Sequence, residues 1–286
     1  MATGRAPHGL GCVPTDPERV EAILTALNPT PEFASDARTA ALSCIQRLAA
    51  DARSGELTEC SALLTHVRSR LDALDPKALV PGGGLAGLFN GPGKRLRRFR
   101  GAFADAGRAV ADTAAELSER MAAVERRHRV LEHLIDDSRK SLAELGDHIA
   151  AARLWLDKQA LPEAPADGGA AVDPHAGFRA HIDGLAETLA AGVRQLPLVR
   201  AIQNTEARTL DQMRRAVDGL DAWRHGWTTG LGLEGRKPRK IRPDAVALWR
   251  ERENASGALA AADSHVAESR ARRSDVERRL EAILHH

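Results

Sequence analysis

Apolar residues between Lys94 and about Ala160 recur at alternating gaps of three and four: Phe99, Phe103, Ala106, Val110, Leu117, Met121, Val124, Leu131, Ile135, Leu142, Leu145, Ile149, Ala152 and Leu156. This spacing puts them on one side of a single helix, and no proline interrupts it. At about 1.5 Å of rise per residue, such a helix is roughly 90 Å long. A stripe of that length needs helical partners along its whole extent, from elsewhere in the chain or from a second copy in a homo-oligomer. A second long pattern starts at Phe178 and runs through Ile182, Leu185, Leu189, Val193, Leu196, Val199, Ile202, Leu210, Met213, Val217 and Leu220. Pro197 falls inside it, but the pattern resumes in phase, which predicts a kinked helix and not two separate ones. Gly230 and Gly232 mark its end.

Shorter patterns flank these two. Residues 1–15 show little periodicity and are expected to be disordered. Residues 16–75 read as three helices. The first is capped by Thr15 or Asp16, has Pro17 in its first turn, and turns Val20, Ile23, Leu24 and Leu27 inward. The second, about Pro31 to Ser54, is expected to bury Phe33, Leu42, Ile45 and Leu48. The third, about Thr58 to Leu74 with Thr58 as cap, groups Leu63, Leu64, Val67, Leu71 and Leu74. A glycine-rich loop with apolar Leu85, Leu88 and Phe89 at its middle fills 76–93, and a Pro, Gly, Asp and Ala linker at 160–176 splits the long helical stretch 94–233. A basic loop at 234–243 precedes a last helical segment, 244–286, patterned on Trp249, Leu259, Val266, Val276, Leu280 and Ile283. The fold class is therefore all-α: an elongated helical bundle or coiled coil built on a long antiparallel helical hairpin.

Inside the first long stripe, Val110, Thr113, Leu117 and Met121 make an eleven-residue step in a mostly seven-residue rhythm, which relaxes left-handed supercoiling locally. His128 and Ser138 sit on the stripe, where single polar residues set register. If the second helix folds back at the linker, Phe178 lies near residue 158, Trp223 near Thr113 and Leu233 near Phe103. One end of the hairpin then gathers the most basic residues of the chain.

Composition agrees with long helices: aromatics make up 3% and tyrosine is absent. A net charge of +2 means that any anionic partner must be met by local clusters. Two exist. Lys94, Arg95, Arg97, Arg98 and Arg100 surround the start of the first long helix, where cations oppose the helix dipole and call for an anion. Leu96, Phe99 and Phe103 occupy the other side, the layout of a helix that can lie on an anionic membrane. Arg236, Lys237, Arg239, Lys240 and Arg242 form the second cluster, which the hairpin count brings to the same end. The expectation is a basic end that docks an anionic membrane surface or an acidic partner. Nucleic acid is disfavoured, because only Phe99 and Phe103 accompany the cations and both lie on the apolar side.

Catalytic and cofactor motifs fail on spacing. A P-loop needs glycine where Leu88 stands and Ser or Thr where Arg95 stands. Glu125-x-x-His128 is a single copy of a spacing that di-iron bundles use twice, so no metal site is expected. Nothing calls for a cofactor. Cys12, Cys44 and Cys60 form no C-x-x-C pair and suit a reducing compartment, and no signal segment or membrane span is legible. The expectation is a cytoplasmic protein, peripheral at the inner face of the membrane if the basic end docks there.

The run from Gln195 through Arg200, Ile202, Gln203 and Asn204, followed by Leu210, Trp223 and Leu231-Gly232-Leu233, resembles the signature region of the TelA-like toxic-anion-resistance family. Leu74-Asp75-Pro76, the glycine-rich loop and the basic helix start resemble that family's central segment, and Ser269 to Leu284 its charged C-terminal helix. Ala222 departs from the proline or leucine usual before the tryptophan, and the stretch after Leu233 is short. The resemblance implies a non-enzymatic cytoplasmic helical protein linked to tellurite resistance and related stress responses, acting beside other tellurite-resistance proteins. Gln203, Glu206 and Thr209 lie on or beside the seam of the second helix, where buried polar groups fix register, and Trp223 and Trp227 read as packing anchors. The favoured function is a helical scaffold docking through its basic end. The alternative is an oxyanion-binding module or thiol-dependent reductase of the toxic anion.

Overall fold

The computed structural model describes residues 14–53, 57, 59–80, 91–159 and 173–284. The terminal segment before Pro14, Cys12, the Thr58 cap, the core of the glycine-rich loop and most of the linker lie outside the described residues. Among those described, every regular element is helical: α1 Pro17–Ala26, α2 Ser35–Arg53, α3 Cys60–Asp72, a 3-10 turn Pro76–Leu79, α4 Pro92–Lys158, α5 Ala176–Gly230 and α6 Ala245–Leu284. The chain is all-α. α5 stays helical through Pro197, which is exposed, so the pattern's continuity across the proline reflects one helix.

Two compact units share the three long helices. The first comprises residues up to 54, 129–201 and 275 onward; the second comprises 55–128 and 202–274. In the first unit, Ile45 of α2, Leu142, Leu145 and Ile149 of α4, and Ile182, Leu185 and Leu189 of α5 form the core. Asp16 caps α1 by accepting from the Glu18 and Arg19 N–H groups, with Pro17 at the first helical position. The buried Asp147 accepts from the Asp16 N–H at 2.9 Å, which ties the cap to α4. Gln195 donates to the Ile45 carbonyl at 3.0 Å. Ser138 is buried on the expected seam, but its hydroxyl has no hydrogen-bond partner among the described residues.

Several expectations need correction here. α2 begins at Ser35, not Pro31, because Ala34 has a φ of 59° in the left-handed region. A non-glycine residue there costs about 1 kcal/mol or more and cannot continue a right-handed helix. Phe33 therefore sits in the preceding turn, and its ring meets His148 at 5.5 Å and Phe178 at 5.6 Å. Leu42 is 38% exposed, since Ala41, Ile45 and Leu48 take the inward face of α2. Phe178 packs on Trp155, three positions from the residue that the count sets opposite it.

The second unit buries Leu64, Val67 and Leu71 of α3 against Val110, Leu117 and Val124 of α4, Leu210, Met213 and Leu220 of α5, and Leu259 and Val266 of α6. α3 starts at Cys60, and Glu59 at its N-cap makes no side-chain cap bond; the Glu59 carboxylate pairs with Arg120 instead. Thr113 is buried with Val110, Leu117 and Met121, so the eleven-residue step keeps to the inner face. Trp223 meets Phe103 at 5.4 Å, ten positions along α4 from the Thr113 that the count sets opposite it. Trp249 is 43% exposed, because Leu248 takes the core position at the start of α6.

Two helical glycines in α5 respond differently to a methyl group. A Cβ on Gly192 would lie 2.5 Å from Leu142 Cδ2 and 3.0 Å from Ile45 Cδ1, both core atoms. One on Gly226 would collide with Glu251 Oε2, the tip of a flexible side chain whose partial burial raises its pKa. Gly192→Ala is expected to cost about 1–3 kcal/mol through overpacking. Gly226→Ala, which displaces Glu251 into water, should be neutral or gain up to about 1 kcal/mol from helix propensity. Urea unfolding of both variants checks the contrast.

Candidate functional site

The basic end is assembled within the second unit from three pieces of chain. α5 ends in a Schellman motif: Gly232, at φ +64°, donates to the Thr229 carbonyl at 2.9 Å, and Leu233 donates to that of Thr228 at 2.8 Å. The chain then turns, and the Arg239 N–H returns to the Gly232 carbonyl at 2.8 Å. Arg100 of α4 clamps both strands of this loop, with Nε donating to the Leu231 carbonyl at 2.8 Å and a terminal nitrogen donating to the Arg239 carbonyl at 2.8 Å. A cation on the last carbonyls of α5 is favoured by the helix dipole. Arg100 thus joins the two basic clusters by bonding the backbone, a role that residue types alone do not reveal.

The result is a cleft of about 1360 Å³ between the start of α4, the 234–243 loop and the start of α6. Leu79, Val80, Leu96, Leu233, Ile241, Pro238 and Pro243 supply apolar lining, and Arg95, Arg97, Arg100, Arg239, Lys240 and Arg242 supply cations. Among the described residues, no Asp or Glu lines it. Lys94, Arg98, Arg236 and Lys237 do not line it, but all four are exposed, as are Arg97, Arg239, Lys240 and Arg242. Arg239 also faces Glu234 at 3.9 Å, and Glu234 is held by the Thr229 hydroxyl at 2.6 Å.

Deeper in the same unit lies a charge cluster that sequence reading found only in part. Glu206 of α5 is 1% exposed. Its Oε2 lies 2.9 Å from His128 Nε2, and its Oε1 accepts from the guanidinium groups of Arg127 on α4 and Arg273 on α6. Burial pushes the Glu206 pKa up, but hydrogen bonds from His128 and Arg127 and the charges of Arg273 and Arg127 outweigh it, so the carboxyl titrates below its ordinary range. One carboxylate therefore bridges three long helices. Thr209, also 1% exposed, donates to the Thr205 carbonyl and reaches the His265 carbonyl at 3.3 Å.

The motif residues divide by role. Arg200, in the first unit, pairs with Glu132. Ile202 is core, and Gln203, 5% exposed, reaches the His128 carbonyl at 3.4 Å. Asn204 is exposed. Trp223, 1% exposed, stacks with Trp227 at 5.3 Å, and Trp227 donates from Nε1 to the Leu248 carbonyl at 3.0 Å. The buried members of the motif therefore act as packing and register elements. Glu125 is engaged by Arg214, and His128 by Glu206, so both residues of the Glu-x-x-His step serve polar contacts between helices. Among the described residues no group of three or more His, Cys, Asp or Glu could hold a metal ion. Cys60 is buried, and half-buried Cys44 lies 3.6 Å from the Ser141 hydroxyl.

These features define a class: an all-α protein whose long helices are locked by a buried carboxylate and which presents a cationic cleft. The model of the family described as toxic anion resistance protein (TelA) matches residues 32–234, and the chain belongs to that family. No curated protein and no solved structure matches. Family membership points to a role in resistance to toxic anions such as tellurite. No helix among the described residues is long and apolar enough to cross a membrane.

Proposed function

We propose that the protein is a non-enzymatic helical scaffold in toxic-anion resistance that docks an anionic surface through its basic end. The observation that supports this reading most is the convergence, in one cleft, of cations from residues 95–100 and 239–242, with no acidic side chain among the described lining residues. Such a concentration of like charge raises a local positive potential that the near-neutral whole does not have. Arg100 is committed to backbone carbonyls, so the docking contacts fall to the exposed cations around it.

Combined Lys94→Gln, Arg97→Gln, Arg98→Gln, Lys240→Gln and Arg242→Gln substitution tests the reading while sparing Arg100. The native protein should bind phosphatidylglycerol vesicles or immobilised polyglutamate in a salt-sensitive way, and the variant should bind about a hundredfold more weakly or not at all. Absence of salt-sensitive binding to both surfaces, or equal binding by the variant, overturns it.

A further inference from the structure

Beside the cationic cleft, the start of α6 turns two apolar side chains outward that the core does not use. Asp244 caps the helix by accepting from the Val246 and Ala247 N–H groups at 2.9 and 3.1 Å. Leu248 is 2% exposed, and its carbonyl is held by Trp227 Nε1. With Leu248 fixed inward, Val246 and Trp249, three apart on the opposite side, are turned to solvent at 64% and 43% exposure. The chain has four tryptophans. Trp223 and Trp227 are buried, and half-buried Trp155 packs against His175 and Phe178. Trp249 is the one that is more than a third exposed.

Its position matters. Ala245 and Arg242 line the cleft, so Val246 and Trp249 lie within about one helical turn of its rim. Val80, another cleft residue, is 52% exposed. Among the described residues, exposed apolar side chains are here interleaved with exposed Arg242 and Arg250. A protein interface gathers its apolar anchors at a dry centre with charge at the rim. Single apolar side chains set among cations, with an indole among them, fit the headgroup region of a bilayer, where phosphates meet the cations and the indole bridges polar and acyl layers. One turn on, exposed Glu253 pairs with Arg252 and ends the apolar stretch.

We infer that the anionic surface is a lipid bilayer and that Trp249 and Val246 insert into its headgroup layer while the cleft cations hold lipid phosphates. This rests on the docking reading above and names its partner. The test uses full-length protein with phosphatidylcholine vesicles, with and without phosphatidylglycerol, and reads sedimentation and tryptophan emission together. Anionic vesicles should blue-shift the emission and shield from acrylamide a component that Trp249→Phe removes. Trp249→Ala should weaken vesicle partitioning by about tenfold, with Trp249→Phe, which keeps an apolar ring, closer to native. Salt-sensitive sedimentation with Trp249 still open to acrylamide and with Trp249→Ala binding unchanged overturns the insertion and leaves electrostatic docking standing. Retention on polyglutamate without vesicle binding likewise overturns it in favour of an acidic protein partner. Binding to neither surface removes both readings.

Discussion

Glu206→Gln is expected to destabilise the second unit by about 3–5 kcal/mol, the usual cost of removing one partner from a buried ion pair. The side chain is 1% exposed, so water cannot replace the lost charge, and Arg127 and Arg273 are left facing each other across a neutral amide. Urea unfolding followed by the emission of Trp223 and Trp227 in the same unit reads the loss. Charge and shape can be separated: Glu206→Leu combined with Arg127→Met and Arg273→Leu should recover most of the stability, because a buried charged cluster exchanged whole for apolar groups is often neutral. Failure of the triple variant to recover would show that the hydrogen-bond geometry, including His128, matters more than the unbalanced charge.

The same carboxylate gives a pH dependence with a definite sign. Its folded-state pKa lies below the ordinary carboxylate value. The unfolded chain therefore takes up the proton first as the pH falls, and the stabilisation is complete above the ordinary value of 4.5 and lost as the pH drops through the lower folded-state value. Wild-type stability should fall more steeply than that of Glu206→Gln across this acidic window. Parallel curves would place the acid sensitivity elsewhere.

How much of this was legible in the sequence depends on which neighbours decide each residue's place. The stripe of α4 is set by its own period, and Phe99, Phe103, Val110, Leu117, Leu131, Ile135 and Leu142 are all buried as the spacing predicts. Gln203, Glu206 and Thr209 could be placed on the seam of α5 by the same arithmetic. Arg127 and Arg273 could not be picked out, because arginine is common on helix surfaces and only the approach of α6 turns these two inward. Residue type marks Arg100 as a cation but does not reveal its acceptors, which are carbonyls that every residue carries. At Leu42 and Trp249 the structure turns outward what the spacing places inward, because a short window leaves the direction of the inner face of α2 and α6 ambiguous by a quarter turn. Helix boundaries slipped where the cause was a backbone angle, as at Ala34.

Trp227→Ala carries the other large expected effect, about 3–5 kcal/mol, and it reaches the candidate site. The indole is fully buried, lies 5.5 Å from Phe99, 5.6 Å from Phe103 and 5.3 Å from Trp223, and bonds the Leu248 carbonyl. Removing it leaves a cavity among rings that cannot collapse together, since each is fixed to a different turn of α4 or α5. It also releases the start of α6, whose Ala245 forms one wall of the cationic cleft. Trp227→Phe separates the two consequences. It keeps most of the ring contact and loses the hydrogen bond, at about 1–2 kcal/mol. The Leu248 carbonyl faces its own helix as well, so it is not orphaned by the change. If the indole orients α6, then Trp227→Phe should weaken binding to anionic surfaces by more than its small stability cost implies, with the basic residues intact. Equal binding by Trp227→Phe and wild type would confine Trp227 to packing and show that the start of α6 is held by Leu248 and the Asp244 cap alone.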